Sequence, residues 1–447
     1  MHAEPLVVRP ADAMLFLRPS GPVGAAAFLA DSWALAARLP ACGHVVNLCR
    51  DRYAFVVAFA AALLRGQVSL LCGDTSPGML AALARQFPGC TAIADDPSLP
   101  AAALAAVPLA VTLVDPAAAA GPLPANPAIP AAQPAAIVFT SGSTGAPTPH
   151  VKHWGALVAR SRAAAERFGL RETAPSTVVA TVPPGHMYGF EVTALLPLHA
   201  ACASWCGPGF FPRDVQAALE AVPAPRVLVT TPLQMRALLQ GMGEAPPLQA
   251  CISATAPLDP DLAAAAEARW NAPVLEIFGA TECGSIASRR TREGDAWTAY
   301  PGISLHREAD LTWVAAAGAE PVALADELEP LGPGRFRLLG RRTDLVKLGG
   351  RRASLTGLNR ILTGLDGVAD GSFVVPDDLD RRSNARLLAI VVAPDRSGPS
   401  ILAELRRRMD PLFLPRRVVR VDALPRNALG KLPRQALLAL LADAERA

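Results

Sequence analysis

The sequence predicts a large, multi-layer α/β N-terminal domain over residues 1–340 and a small α+β C-terminal domain over 341–447. Three observations predict it. Val45–Leu48 and Val68–Leu71 read as short buried strands around a helix at Ala54–Leu64, a βαβ rhythm that implies a parallel sheet covered by helices. Apolar strand candidates then recur at Ala135–Phe139, Val178–Val182, Val227–Thr230, Ala250–Ser253 and Val274–Phe278, most of them separated by helical segments. Finally, a turn-rich hairpin around 326–340, centred on Gly332-Pro333-Gly334, gives way after Gly340 to a second pattern. That pattern has strands at Gly371–Val375 and Leu387–Val392 and helices near Ile401–Met409 and Arg434–Glu445. Residues 116–134 are almost entirely Ala and Pro and read as a linker. No internal repeat is present, and 447 residues exceed what one ordinary core organises.

Composition narrows the class. Hydrophobic residues make up 51 %, but the apolar stretch from Tyr53 to Leu64, closed by Arg52 and Arg65, is too short to span a bilayer. The stretch Leu99–Val114 is broken by Pro100 and Pro108, and Glu4, Arg9 and Asp12 sit where a secretion signal needs an apolar run. The expectation is a cytoplasmic protein with no membrane insertion and no nucleic-acid partner. The eight cysteines form no CxxC pair and no zinc-like spacing, as free thiols in a reducing compartment do not. Charge is unevenly divided: residues 341–447 carry 20 Lys+Arg against 12 Asp+Glu, and residues 1–340 carry 22 against 27. A basic C-terminal piece suits an anionic partner, and equally a solvated arginine-rich surface.

Only three of the 42 basic residues are lysines: Lys152, Lys347 and Lys431. Where arginine fills almost every basic position, a lysine implies a place for a compact ammonium that a planar guanidinium does not fit. All three lie in or beside conspicuous motifs. One of these, Thr140-Ser141-Gly142-Ser143-Thr144-Gly145-Ala146-Pro147, follows a strand with hydroxyls and glycines suited to cradling phosphate. It is not a Walker loop, because no Gly-Lys-Ser/Thr follows.

This string resembles the phosphate loop of the adenylate-forming superfamily of acyl- and aryl-CoA synthetases, luciferases and peptide-synthetase adenylation domains. Four further motifs follow in that family's order: Pro184-Gly185-His186-Met187-Tyr188-Gly189, Phe278-Gly279-Ala280-Thr281-Glu282, Gly340-Arg341-Arg342-Thr343-Asp344-Leu345-Val346-Lys347, and Leu424-Pro425-Arg426-Asn427-Ala428-Leu429-Gly430-Lys431. The resemblance implies ATP and Mg2+ as cofactors, a carboxylic acid as substrate, and CoA or an acyl carrier protein as acceptor. The acid attacks the α-phosphorus, pyrophosphate leaves, and the acyl group passes to a thiol. Negative charge builds between two anions, so catalysis is positioning plus neutralisation.

By the same resemblance, Lys431 bridges the carboxylate and the α-phosphate, Thr281 bonds that phosphate, and Glu282 supplies a hard oxygen for the metal. Phe278 offers a ring to adenine, and Ser253-Ala254-Thr255-Ala256-Pro257 lines the nucleotide through its backbone with Gly279 and Ala280. Asp326 takes the ribose hydroxyls, with Glu327 as the open alternative because the usual Thr-Gly-Asp context is missing, and Arg341 completes the ribose or phosphate contact. His186 closes an acyl pocket formed with Met187, Tyr188 and Gly189; Phe190 and Glu191 follow on the same segment. Thr343 is the hinge of a C-terminal lid, and Gly349, Gly350 and Arg352 line the thiol channel.

This sequence departs from the family pattern at two of those motifs. The phosphate loop continues with Thr148 where relatives have Lys, so either Lys152 curls back to the β/γ-phosphates or the loop works without an ammonium. Thr343 stands where many relatives have Asp or Lys. The chain is also shorter than typical members. Asn47–Tyr53 and His186–Gly189 are similar to short acyl synthetases of aryl-polyene and xanthomonadin pigment pathways, which act on aryl acids and carrier proteins. Two other readings remain open: adenylation alone or transfer to an amine, and a nucleotide-binding protein without catalysis.

Overall fold

The sequence folds into two units. The computed structural model describes residues 2–73, 75–96, 111–114, 125–140, 148–308, 311–316, 319–341, 345–348, 351–376, 386–425, 432 and 436–441. One unit comprises Met1–Glu308 with Trp313–Ala323 and Leu331–Phe336; the other comprises Ala309–Thr312, Leu324–Pro330 and Arg337–Ala447.

The larger unit carries two sheets with parallel cores. In the smaller sheet the strands run in the order Thr148–His153, Pro134–Thr140, Val68–Leu71, His44–Asn47, Thr91–Ala94 and Val111–Leu113. All pair in parallel except Thr148–His153, which folds back antiparallel on Pro134–Thr140. In the other sheet, Met14–Arg18, Cys202–Trp205, Ser176–Ala180, Arg226–Thr230, Ala250–Ser253 and Val274–Ala280 pair in parallel in that order. Gly284–Arg290 then returns antiparallel along Val274–Ala280. These strands read as continuous apolar runs because both faces of a parallel sheet are covered.

Helix Arg52–Leu64 shows why. Asp51 caps it by accepting the Ala54 N–H at 2.8 Å, and from Tyr53 to Leu63 every residue is buried. An all-apolar helix has no solvent face, so it becomes core. In this unit the predicted helix and strand positions hold to within two residues at their ends; in the smaller unit the helix predicted from Ile401 begins three residues earlier, at Gly398. The linker differs: Ala128–Pro130 is a short strand antiparallel to Ala3–Pro5. An Ala-Ile-Pro run is already extended, and proline is tolerated in such a two-stranded edge ladder.

The smaller unit has its own core. Leu345–Leu348 and Arg351–Ser354 form a hairpin, and Ser354 caps helix Leu355–Thr363. Asp370–Val374 pairs antiparallel with Leu388–Val392, which pairs in parallel with Val418–Arg420. Helix Gly398–Arg408 buries Ile401 and Leu405 among Leu362, Phe373 and Val391. Of the helix expected at Arg434–Glu445, residues 436–441 are helical, with Leu437 and Leu441 packed near Val374 and Ile390. The fold class is therefore mixed α/β with a large first unit and a small α+β second one.

Two buried glutamates tie the last parallel strand to its return. Glu276 accepts from Arg289 at 2.7 Å, Thr291 Oγ1 at 2.9 Å and the Leu258 N–H at 2.8 Å. Glu267 accepts from Arg290 at 2.8 Å, Arg292 at 3.0 Å and the Val274 N–H at 3.0 Å. Burial raises the Glu267 pKa, but Arg290, the Val274 amide and Arg292 outweigh it and hold the carboxyl down at about 2. A depressed carboxyl contributes stability that is fully present above its ordinary value of 4.5 and is lost as pH falls through about 2. Glu267→Gln should therefore cost about 3 kcal/mol in urea unfolding at pH 7 and much less near pH 2. An equal cost at both pH values contradicts the assignment.

Candidate active site

Segments expected to bind substrate leave the larger sheet at one edge. His186–Gly189 lies downstream of Ser176–Ala180, Ser253–Pro257 begins at the end of Ala250–Ser253, and Thr281-Glu282 follows Val274–Ala280 directly. All three parent strands are parallel, so these segments emerge at their carboxyl ends, where open α/β sheets bind ligands.

Each segment is held by buried contacts. Arg52 donates to the carbonyls of Ala180 at 3.2 Å, Val182 at 2.9 Å and Trp205 at 2.6 Å, fixing the chain that leads to Pro183–Gly189. The buried Tyr188 hydroxyl lies 3.2 Å from the Thr230 carbonyl and 3.0 Å from that of Ile252, so it ties this segment to the ends of two strands. Burial pushes the Tyr188 hydroxyl well above its ordinary pKa, so it stays a donor. His186 is exposed, and its ring lies over Gly73 so closely that any Cβ there would overlap it. Met187 is half-buried, and Phe190 and Glu191 are buried beneath it.

In the second segment Ser253 and Ala254 are buried, while Thr255, Ala256 and Pro257 are exposed. Thr255 has φ +80°, a conformation a β-branched residue adopts only under constraint. The Ser253 hydroxyl is buried without a hydrogen-bond partner among the described residues.

The third segment turns through Thr281–Cys283, with a bulge between Phe278 and Gly279. Gly279 is required there, since a Cβ would overlap the Gly284 carbonyl and stand 2.7 Å from Ser285 Cα. Phe278 is packed against Trp297 and Phe336, with centroids 5.6 and 5.9 Å away, and is only 8 % exposed. The ring expected to face adenine thus belongs mainly to an aromatic cluster. Ala280, Thr281 and Glu282 are half-buried.

Lys152 does not extend as a free ammonium. Its Nζ donates to the main-chain carbonyl of Glu282 at 2.7 Å, and the side chain is 8 % exposed. Burial pushes its pKa down to about 8, against the pull of Cys283, Glu191 and Glu282. Glu191 accepts from the Ser285 N–H at 3.1 and 3.2 Å and from the Ser285 hydroxyl, and Arg160 donates to the Ser285 carbonyl. Arg160 and Ser285 carry no motif signal. Arg160 is one arginine among many, and its partner is a main-chain atom 125 positions away.

The Glu282 carboxylate takes no hydrogen bond from the described residues, which leaves a hard oxygen free for a divalent cation. Among the described residues no group of three or more His, Cys, Asp or Glu side chains could hold a metal alone. One free carboxylate fits Mg2+ that arrives on phosphate oxygens and keeps several waters.

Other sequence candidates are described in part. Thr140 ends strand Pro134–Thr140, with its side chain outside the described set, and Ser141, Gly142, Ser143, Thr144 and Gly145 lie outside the described residues. In the smaller unit, Asp326 and the more buried Glu327 open strand Asp326–Gly332. Arg341 closes strand Arg335–Arg341 and Arg352 lies in Arg351–Ser354, their side chains not described. Thr343, Gly349, Gly350 and Lys431 lie outside the described residues.

A model of the AMP-binding enzyme family matches residues 35–324. The chain belongs to this family. It is 30 % identical over 280 residues, 62 % of this chain and 67 % of the relative, to a 4-coumarate–CoA ligase of Rhodobacter capsulatus. It is 31 % identical over 309 residues, 66 % of this chain and 73 % of the relative, to a 4-coumarate–CoA ligase of Halorhodospira halophila. The fold matches that of o-succinylbenzoate CoA synthetase (MenE) from Bacillus subtilis in complex with OSB-AMP, with a TM-score of 0.78 at 18 % identity over 98 % of both chains. The chain is an AMP-forming acid–thiol ligase: a carboxylic acid is activated as its adenylate and passed on as a thioester. No described helix is long and apolar enough to cross a membrane.

The Thr255 backbone gives this site a direct check. Thr255→Gly should raise stability to denaturant by about 1 kcal/mol, because glycine accepts positive φ without strain. Lower stability would show that the conformation carries no strain.

Proposed function

We propose that this ligase activates an aryl acid with ATP and Mg2+ and transfers the acyl group to the pantetheine thiol of CoA or of an acyl carrier protein. The observation that carries the reading is the convergence of His186–Gly189, Ser253–Pro257 and Thr281-Glu282 at the carboxyl edge of one parallel sheet. The named activity of the two relatives, 4-coumarate–CoA ligase, supports an aryl acid.

In this reading the main chain of Ser253–Pro257 and Phe278–Ala280 flanks the nucleotide, and the 140–145 loop cradles its phosphates through amides and hydroxyls. Thr281 donates to the α-phosphate, and Glu282 holds Mg2+ that the triphosphate brings. The metal neutralises charge on the phosphate oxygens. Lys431, on the C-terminal unit (341–447), sets an ammonium between the carboxylate and the α-phosphate, where charge grows as the mixed anhydride forms. Asp326 and Arg341 hold the ribose. His186, Met187 and Gly189 border the acid, with Tyr188 anchoring them from below.

For thiol transfer the C-terminal unit turns about Thr343 and presents Gly349, Gly350 and Arg352 to the pantetheine. Arg406 and Arg407 are exposed on helix Gly398–Arg408, a basic face suited to an anionic acceptor such as CoA or a carrier-protein helix.

Pyrophosphate release with a panel of benzoates, cinnamates and fatty acids tests the reading. Aryl acids should be turned over in preference, with a thioester formed when CoA or loaded carrier protein is added. Lys431→Ala should lower release by about 100-fold or more while ATP binding persists. Release with no acid, or an unimpaired Lys431→Ala variant, contradicts the proposal.

A further inference from the structure

Three charged side chains from three different elements converge on the turn that carries Thr281 and Glu282. Lys152 comes from strand Thr148–His153, Arg160 from helix Trp154–Arg167, and Glu191 from the helical segment Phe190–Leu195. They are 8 %, 9 % and 8 % exposed. Lys152 holds the carbonyl of Glu282 at 2.7 Å, Arg160 holds the carbonyl of Ser285, and Glu191 holds the Ser285 amide at 3.1 Å together with its hydroxyl. The bonds fall on residues 282 and 285, on either side of Cys283-Gly284. Gly284 itself has φ +74°, and a Cβ there would stand 2.6 Å from Glu191 Oε1. The backbone is thus pressed directly onto the carboxylate that holds its neighbour.

Stability alone does not account for this arrangement. Burying three ions costs several kcal/mol each, and apolar residues of the same volume usually hold a fold as well or better. What such groups provide is geometry: each bond is directional, and together they fix a turn that its glycines and bulge leave pliable. We propose that Lys152, Arg160 and Glu191 are positioning residues for adenylation, which bracket the main chain at Glu282 and Ser285 and so set where the Thr281 hydroxyl and Glu282 carboxylate stand. The inference rests on the reading that Thr281 and Glu282 act on the nucleotide and its metal. It also gives the lysine beside the phosphate loop a role that involves no phosphate.

The full-length chain tests this with Lys152→Met, which keeps the side-chain stem but removes the ammonium, and Glu191→Gln, which keeps the shape and removes the charge. Adenylation, measured as acid-dependent ATP–pyrophosphate exchange, should lose about 100-fold in kcat, as a displacement near 1 Å at reacting groups does. The Mg2+ concentration for half-maximal rate should rise about tenfold, with both rates read at a temperature where each variant is fully folded, because removing one member of a buried charged set lowers the melting temperature. Wild-type kcat and Mg2+ dependence in both variants overturns the proposal, as does a loss of rate that merely follows a loss of melting temperature. If Lys152→Met does not fold, the shape-preserving Glu191→Gln still decides the matter. Glu282→Gln separates the two levels of the argument. If it leaves exchange and Mg2+ dependence intact, the underlying site reading fails; if it impairs them while the bracket variants do not, only this inference fails.

Discussion

Among the described residues, Arg52, Lys152 and Arg160 bond main-chain carbonyls, and the carboxyl edge of the larger sheet depends on those bonds. Arg52 gathers three carbonyls at the ends of Ser176–Ala180 and Cys202–Trp205, Lys152 takes the carbonyl of Glu282, and Arg160 takes that of Ser285. Where parallel strands end, the backbone leaves its ladder and its polar groups need other partners. Long side chains supply them: Arg52, Lys152 and Arg160 donate to carbonyls, and Glu191 accepts from the Ser285 amide. Glu267 and Glu276 do the complementary work on the return strand, where arginines and amides share each carboxylate. The contacts that hold these segments are therefore electrostatic and lie within one unit.

Much of the fold is legible in the sequence for a simple reason. Strands buried on both faces, such as Val68–Leu71 and Ala250–Ser253, must be continuously apolar, and helix Arg52–Leu64 must be apolar all round. Those runs are visible without knowing their neighbours. The strand Ala128–Pro130 was hidden in an Ala/Pro stretch because its pairing partner, Ala3–Pro5, lies far away in sequence and gives no local signal.

The candidate site's residues stand out in the sequence by side-chain identity, whereas its main-chain acceptors give no signal there. The Thr-Glu pair, the histidine segment and the three isolated lysines stand out as letters. That Lys152 would reach the Glu282 carbonyl is not written in either residue, because every residue has a carbonyl. Arg160 and Ser285 were invisible for the same reason. Phe278 shows the converse: an aromatic residue in a motif is open to a stacking role or a core role, and Trp297 and Phe336 enclose most of its ring. Sequence names the residue and only packing says which of its faces is free.

The chemistry that unites these features is the joining of an acid oxygen to the α-phosphorus of ATP, followed by departure of that oxygen with AMP. Isotope transfer follows those atoms directly. With both carboxylate oxygens of the acid labelled with oxygen-18 and a thiol acceptor present, mass spectrometry of the AMP released in turnover reads the path. An AMP carrying a single labelled oxygen is the predicted result; AMP without label, or label appearing in pyrophosphate, contradicts the account.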